Sequence, residues 1–176
     1  MGLVSSIIIR EAEEQDQEAI LSLMLEAYGE YEQAMARDRW IEYAQSIKES
    51  VYRDGPTARI IAELNGEIVG SVQLFLSSET AYGRPELGIH SPIIRLLATS
   101  PKVRGKGVAT ELIKESARRT VLLGAETLHL HTSDVMASAV RLYEHLGFER
   151  AYDKEMLNGE ILVKCYRLQL KETSLL

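Results

Sequence analysis

The chain has 176 residues, of which 45% are hydrophobic and 26% are charged. This composition is typical of a globular protein with one sizeable core, and it excludes disorder along the whole chain. The formal net charge of −6 argues against a general nucleic-acid binder, because neutralising phosphates requires a basic surface. A single cysteine excludes an internal disulfide and any metal site built from several cysteines.

The sequence predicts no membrane span and no secretory signal. Met1-Gly2-Leu-Val-Ser-Ser6 matches the N-myristoylation template, but that template is permissive and we do not expect lipidation. No apolar run approaches the roughly 18 residues of a membrane helix. The N-terminus lacks the basic and apolar regions of a signal peptide. We therefore expect an intracellular, cytoplasmic protein that does not bind membranes.

The first part of the chain predicts a strand followed by two helices. A short β-branched run, Ser6–Ile9, indicates the strand, and apolar residues at helical spacing predict helices over Glu11–Tyr28 and Met35–Tyr52. Gly55-Pro56 ends the second helix. We expect the buried stripe of the second helix to comprise Trp40, Ile41, Ala44, Ile47 and Val51.

The middle of the chain predicts a hairpin, a loop and a buried strand. Asn65-Gly66 joins two apolar runs, Thr57–Leu64 and Glu67–Ser77, and such a dipeptide is a strong hairpin signal. A polar loop is expected over Ser78–Ser91. The nearly unbroken apolar run Pro92–Thr99 is typical of a central strand.

The last part of the chain predicts a long helix and then alternating strands and helices. The long helix is expected to bury Val108, Ala109, Leu112, Ile113, Ser116, Ala117, Thr120 and Val121 and to end at Gly124. The remaining predicted elements are a strand at Thr127–Thr132, a helix at Val135–Leu146, and strands at Phe148–Lys154 and Ile161–Leu170 around a turn at Asn158-Gly159. Interleaved helices and hairpins predict a mixed α/β sheet in one domain, residues 1–176.

The densest chemical signal lies between the predicted central strand and the long helix. The segment Leu97–Thr110 runs from a buried strand through a proline turn into a glycine-rich basic stretch. A helix start presents unpaired N–H groups and the positive end of the helix dipole. Gly105 and Gly107 leave those donors open, so the segment is predicted to bind a phosphate. The alternative is a solvated basic loop at a helix start.

Two familiar phosphate motifs do not fit this stretch. A P-loop requires a Gly-x4-Gly-Lys-Ser/Thr sequence, which is absent. A dinucleotide-binding fingerprint requires a third glycine, where Thr110 stands, and an acid about twenty residues on. The strand at that distance ends at Thr132 without an acid, so both classes are disfavoured.

Three segments resemble the GNAT superfamily of acyl-CoA-dependent N-acyltransferases. Arg104-Gly-Lys-Gly-Val-Ala109 is similar to its Arg/Gln-x-x-Gly-x-Gly/Ala signature. Ala139-Val-Arg-Leu-Tyr143-Glu-His-Leu-Gly147-Phe148 resembles a later family segment, and Asn65-Gly66-Glu-Ile-Val-Gly70 resembles a family hairpin. The three occur in family order, and the resemblance covers about residues 6–170.

The resemblance implies a fold, a cosubstrate and a set of site residues. The implied fold is α/β, with a mixed, mostly antiparallel central sheet and helices on both faces. The implied cosubstrate is acetyl-CoA, without a metal. Backbone groups of Leu97, Ala98 and Thr99 would pair with its pantetheine arm. Its pyrophosphate would bind the amides of Arg104, Gly105, Lys106, Gly107, Val108, Ala109 and Thr110. Tyr143 would protonate the departing thiolate, although it also fits a core position in the stripe of its helix.

The sequence departs from the family pattern at two places. Met136 stands where the family has an asparagine, which leaves it as a wall contact for the cofactor. No acid lies between Ser91 and Thr99, where some relatives place a general base. The base is therefore open among Glu30, Glu63, Glu86, His90 and a water chain.

Three other side chains could be reactive, but each is more simply interpreted as a packed or surface residue. His129 and His131 share one face of a strand, a spacing that suits a metal, but no third ligand is evident. We interpret them as a packed or surface pair. Cys165 could attack a thioester, and we favour a small buried residue instead.

The expected function is transfer of an acetyl or other short acyl group from its CoA thioester to a primary amine by direct attack in a ternary complex. The alternative is an acyl-CoA-binding sensor without catalysis. The amine, a small molecule or a peptide amine, and the acyl-chain preference are not readable from the sequence. The resemblance also leaves a homodimer open.

Overall fold

The computed structural model describes residues 6–132 and 137–176. The chain divides into two compact units. The first comprises the chain up to Asp54 together with Ala58–Gln73 and Leu96–Ile113. The second comprises Gly55–Thr57, Leu74–Arg95 and Lys114–Leu176. The assignment of residues 1–176 to one domain stays a prediction.

The described residues form an α/β arrangement. The helices are α1 Gln17–Tyr28, α2 Arg37–Tyr52, α3 Ser78–Tyr82, α4 Val108–Leu122 and α5 Ala137–His145. The strands are β1 Ile8–Glu11, β2 Ala58–Leu64, β3 Glu67–Phe75, β4 Ile93–Thr99, β5 Thr127–Thr132, β6 Glu149–Arg150, β7 Met156–Asn158 and β8 Ile161–Gln169.

In the first unit, β1, β2, β3 and the end of β4 are neighbours in that order. β1 pairs antiparallel with β2, with Ile8 opposite Glu63. The predicted hairpin between β2 and β3 is confirmed, since Asn65 and Gly66 have φ of 54° and 79°. Both angles are positive, as the tight turn requires. The N–H of Ser100 donates to the carbonyl of Val69 at 2.8 Å, which ties the end of β4 to β3.

In the second unit, the start of β4 lies beside β5, β5 lies beside β8, and β8 lies beside β6. β7 also pairs with β8. Ile93 and Ile94 pair in parallel with His129 and Leu130. The β5–β8, β6–β8 and β7–β8 pairs are antiparallel. The predicted fold class, a mixed and mostly antiparallel sheet with helices, is confirmed.

Most predicted helix faces are correct, with two exceptions. Ile47 and Val51 of α2 are buried, but Ile41 is 55% exposed. At about 100° per residue, Ile41 projects some 120° away from Ile47. Val121, in the last turn of α4, is 47% exposed, whereas Thr120 is fully buried. The buried face of α4 therefore ends one residue earlier than predicted.

Several predicted boundaries are wrong. The first strand is shifted to Ile8–Glu11. The expected loop at 78–91 contains α3, which begins at a Ser77 capping box, and a 3-10 turn at Pro85–Leu87. The helix predicted from Val135 is described from Ala137, and its first two predicted positions lie outside the described residues.

The strand predicted over Phe148–Lys154 is broken after Arg150. Ala151 is fully buried, and its N–H donates to the carbonyl of Cys165 at 2.8 Å. A 3-10 turn follows at Tyr152–Lys154 and leads into the short β7. The turn of the last hairpin was predicted at Asn158-Gly159, but Asn158 still belongs to β7. The turn therefore begins at Gly159, whose φ is +65°.

Candidate active site

β4 changes conformation where the predicted acyl-binding segment begins. Leu96 has a φ of +54°, which is unusual for a leucine in a strand. This left-handed conformation costs about 1–2 kcal/mol for a residue with a side chain. Such strain persists only where the surroundings impose it, and it is frequent at functional sites. The next three residues, Leu97–Thr99, are those that the sequence assigns to the pantetheine arm.

The glycine-rich segment forms an open turn before α4. Gly105 and Gly107 have φ of +80° and +81°, a region that favours glycine. A Cβ built on either glycine would meet no described atom within 4 Å. The backbone at the start of α4 is therefore accessible to a ligand, and the helix dipole favours an anion there. The N–H of Lys106 already donates to the carbonyl of Val103 at 3.2 Å.

This geometry places two predicted groups in one unit. Leu97–Thr99 and the stretch from Arg104 to Thr110 both belong to the first unit, at the end of β4 and at the start of α4. A 3-10 turn at Pro101–Val103 connects them, and the Ser100 hydroxyl caps that turn by accepting from the Lys102 N–H at 3.3 Å.

The end of α1 and the turn after it hold this segment at three points. The hydroxyl of Tyr28 donates to the carbonyl of Leu97 at 2.7 Å. The hydroxyl of Ser100 donates to Glu26 at 3.0 Å. Arg104 forms an ion pair with Glu30. Tyr28 was not predicted from the sequence as a site residue. The available signal was a tyrosine directly after the apolar stripe of a helix, because a buried hydroxyl requires a partner.

Aromatic rings surround Tyr28. Its ring lies 5.8 Å from that of Tyr43, edge to face, and 6.3 Å from that of Tyr31. Trp40 lies 6.2 Å from Tyr43. Burial, and then the charge of Glu30, raise the pKa of Tyr31 above its ordinary value. This cluster keeps Tyr28, which is 8% exposed, in one position.

The four candidate bases have different surroundings. Glu63 accepts two hydrogen bonds from Arg10, at 3.1 and 2.7 Å, and Glu30 is paired with Arg104. Both carboxylates are therefore already engaged by arginine side chains. Glu86 and His90 are exposed, in or next to the 3-10 turn before β4. The base remains open among these residues and a water chain.

Tyr143 lies on α5 in the second unit and is 8% exposed. Its ring is 5.9 Å from that of Phe148, so the ring packs in a hydrophobic environment. This packing agrees with the stripe expected from the sequence, and it leaves the role of the hydroxyl a prediction. Met136, the other residue expected here, lies outside the described residues.

The two histidines of β5 have protein partners. His129 Nδ1 lies 3.0 Å from the Ser91 hydroxyl. His131 Nε2 lies 3.0 Å from the carbonyl of Lys154, and its Nδ1 lies 2.8 Å from the Tyr82 hydroxyl. Since a carbonyl only accepts, His131 Nε2 carries the proton and Tyr82 donates to Nδ1. Burial lowers the pKa of both imidazoles, that of His129 to about 4.

These contacts support the interpretation of His129 and His131 as a packed pair. Within residues 6–132 and 137–176, no group of three or more His, Cys, Asp or Glu side chains is arranged to hold a metal. No helix of the same residues is long and apolar enough to cross a membrane.

Cys165 is fully buried on β8. Burial raises the pKa of its thiol to about 12. Because the thiolate is the nucleophile, a thiol with this pKa is unreactive at neutral pH. The surroundings support the packing interpretation over the nucleophilic one.

Comparison with known proteins agrees with this fold and identifies a family. The acetyltransferase (GNAT) family pattern matches residues 17–148. The chain is 30% identical over 112 residues to an acetyltransferase of Pectobacterium atrosepticum, covering 62% of this chain and 70% of that protein. It is 28% identical over 149 residues to YjgM of Escherichia coli, described as an uncharacterized N-acetyltransferase, covering 82% of this chain and 83% of that protein.

Solved structures share the fold. A GNAT-family acetyltransferase of Staphylococcus aureus superposes with a TM-score of 0.67 at 16% identity, over 94% of this chain and 99% of that one. The YncA protein of Salmonella typhimurium, solved with its cofactor acetyl-CoA, has a TM-score of 0.61 at 17% identity, over 96% of each chain. These structures show the fold, and the family pattern over residues 17–148 assigns the class of protein. The chain belongs to the GNAT family, whose members transfer acetyl groups from acetyl-CoA.

Proposed function

We propose that this protein is an N-acetyltransferase that moves an acetyl or other short acyl group from CoA to a primary amine by direct attack in a ternary complex. The observation that carries the proposal is the segment from Leu96 to Val108. It combines a strained strand residue with two left-handed glycines before α4. Such backbone suits a thioester at the strand and a pyrophosphate at the helix start.

The binding role is assigned mainly to backbone. N–H groups of the Arg104–Thr110 stretch hold the pyrophosphate, with Gly105 and Gly107 allowing close approach. The β4 stretch of Leu97, Ala98 and Thr99 binds the pantetheine arm, through the backbone groups on the edge turned away from β3. Val108 and Ala109 contribute through the first turn of α4, and Met136 is assigned a wall contact. The acetyl-CoA in the related fold of YncA supports this choice of cosubstrate.

The chemistry needs a neutral amine, a stabilised oxyanion and a protonated leaving group. The amine nitrogen attacks the thioester carbonyl, and negative charge develops on the carbonyl oxygen. A backbone N–H of Leu97–Thr99 stabilises that charge, an effect of about 3 kcal/mol at comparable oxyanion holes. The C–S bond then breaks, and Tyr143 gives its proton to the thiolate of CoA. The proton of the amine leaves through one of the candidate bases or a water chain.

The experiment that tests this function measures thiol release from acetyl-CoA with a panel of amines, amino acids and peptides. A transferase releases CoA and forms the N-acetyl product in equal amounts with at least one acceptor. An acyl-CoA sensor would be stabilised by acetyl-CoA in a thermal-shift assay yet release no thiol above background. Failure of acetyl-CoA to stabilise the protein would contradict both functions. A panel of acyl-CoA chain lengths defines the acyl preference in the same assay.

A further inference from the structure

The hydroxyl of Tyr28 is fixed against the backbone of β4. It donates to the carbonyl of Leu97 at 2.7 Å. Tyr28 is 8% exposed, and the edge-to-face contact with Tyr43 holds its ring at an angle of 80°. A hydroxyl on a packed ring has little freedom, so the direction of the Leu97 carbonyl is fixed with it.

The Leu97 carbonyl faces the edge of β4 that is turned away from β3. The N–H of Ser100 donates to Val69 of β3. The N–H and C=O of one residue in a strand point to the same edge, and successive residues alternate. Ser100 and Ala98 therefore face β3, whereas Leu97 and Thr99 face the opposite edge. Tyr28 reaches β4 from that opposite edge.

The residue before Leu97 has a strained backbone. Leu96 has a φ of +54°, so the backbone turns just before Leu97. A left-handed leucine requires surrounding contacts that outweigh its local preference. The Tyr28–Leu97 hydrogen bond is such a contact, since it holds the first carbonyl after the turn. It fixes the peptide plane between Leu97 and Ala98, because that unit is rigid.

We propose that Tyr28 is a positioning residue that acts through the Leu97 carbonyl on the oxyanion that forms beside the N–H of the same residue. The inference rests on the proposed function. As the amine adds to the thioester, negative charge grows beside the Leu97 N–H. The carbonyl oxygen of Leu97 lies on the same edge and would repel that charge. The Tyr28 hydroxyl draws electron density from this oxygen and so weakens its repulsion of the developing charge. It also fixes the peptide that follows Leu97, so the carbonyl cannot turn toward that charge.

The test is Tyr28→Phe, which retains the ring and removes the hydroxyl. The repulsion matters most in the transition state, so kcat should fall while the KM for acetyl-CoA changes little. Loss of one neutral hydrogen bond corresponds to a decrease in kcat of about three- to tenfold. An unchanged kcat, with the chemical step limiting the rate, would overturn the inference.

Glu26→Ala is the matched control. It removes another hydrogen bond between α1 and the same segment, the one that the Ser100 hydroxyl donates to Glu26. The backbone of Ser100 faces β3 and not the edge of the proposed oxyanion. We expect a similar loss of stability in urea unfolding for the two variants and a decrease in kcat only for Tyr28→Phe. Equal decreases in kcat would assign both effects to general anchoring and would contradict the positioning role.

Amide hydrogen exchange gives a readout that needs no activity. In Tyr28→Phe, the amides of Leu97 and Ala98 should exchange faster than in the wild-type protein and in Glu26→Ala. Unchanged exchange at both amides would overturn the inference by itself. Absence of thiol release from the wild-type protein would instead contradict the proposed function, so the two failures are distinguishable.

Discussion

At the scale of single residues, the anion site is predicted to depend on backbone at Gly107. Replacing Gly107 with Val adds a β-branched side chain at a φ of +81°, beside the amides that the pyrophosphate approaches. We expect the KM for acetyl-CoA to rise at least about tenfold, since several charge-assisted hydrogen bonds are lost. Steady-state kinetics with varied acetyl-CoA measure this change.

A matched control separates strain from obstruction. Gly124, after the end of α4, has a φ of +83° and equally open surroundings. Gly124→Val therefore has a similar backbone strain without a ligand nearby, and its KM should match the wild-type value. Neutralising Lys106 should have a smaller effect than Gly107→Val, because an exposed charge contributes only about 0–1 kcal/mol. Equal effects of the Gly107 and Lys106 changes would mean that side-chain charge dominates.

The role of Tyr143 is a second prediction at this scale. If its hydroxyl protonates the thiolate, it acts only as the C–S bond breaks. Tyr143→Phe should then lower kcat and leave acetyl-CoA affinity nearly unchanged. A CoA thiol is a fair leaving group, so we expect a decrease of at most about 100-fold, at or below the low end for general acid catalysis. Wild-type kcat, with chemistry limiting the rate, would assign Tyr143 to packing against Phe148.

At the scale of elements, Gly70 sets how closely β3 approaches α4. A Cβ on Gly70 would lie 2.7 Å from a Val108 methyl and 2.9 Å from a Leu112 methyl. Val108 is buried and stiff at χ1, so it has little room to move. Gly70→Ala should displace the first turn of α4, destabilise the protein by about 1–3 kcal/mol and raise the KM for acetyl-CoA.

A second substitution tests that explanation. Val108→Ala removes the methyl that the new Cβ would meet and keeps the backbone amide of residue 108. Combined with Gly70→Ala, it should restore part of the stability and of the acetyl-CoA affinity, which urea unfolding and kinetics measure. Additive losses in the double variant would show that the contact between Gly70 and Val108 is not the cause.

Elements with strong local signals could be predicted from the sequence. The Asn65-Gly66 turn requires positive φ at both positions, and the sequence supplies residues that tolerate it. α4 and its glycine-rich start were equally visible, because helical periodicity and glycine placement are local properties. The same holds for the family segments, which lie on the elements where they were expected.

Features that depend on distant contacts could not be predicted. The break after Arg150 follows from a buried Ala151 bonded to Cys165, fourteen residues later in the chain. The Tyr28–Leu97 hydrogen bond joins residues 69 positions apart. The left-handed Leu96 has no signal in its own residue type, because leucine disfavours that conformation. Such features arise from tertiary packing that outweighs local preference.

At the scale of the whole molecule, acid should destabilise the fold in two stages. Arg10 and Arg150 hold the pKa values of Asp16 and Glu155 below their ordinary range. Their contribution to stability is present above their unfolded pKa values and is lost as pH falls through the lower folded values. This stage begins near pH 4.5, the ordinary value for Glu155. The other stage occurs at higher pH, and it arises from protonation of the buried histidines His129 and His131.

His129 gives the clearest prediction for the stage at higher pH. Burial, and then the nearby Arg167, lower its pKa from 6.5 to about 4. Between these values the unfolded chain binds a proton that the folded protein does not, so stability is full above pH 6.5 and falls as pH decreases toward 4. The loss from His129 is at most about 3 kcal/mol.

Urea unfolding from pH 7.5 to 4.5 should show this decrease of stability with falling pH in the wild-type protein, and His129→Phe should reduce it. Ser91→Ala, which removes the hydrogen bond but retains the imidazole, should keep the slope. A wild-type stability that does not change over this range would show that His129 is not held neutral by burial.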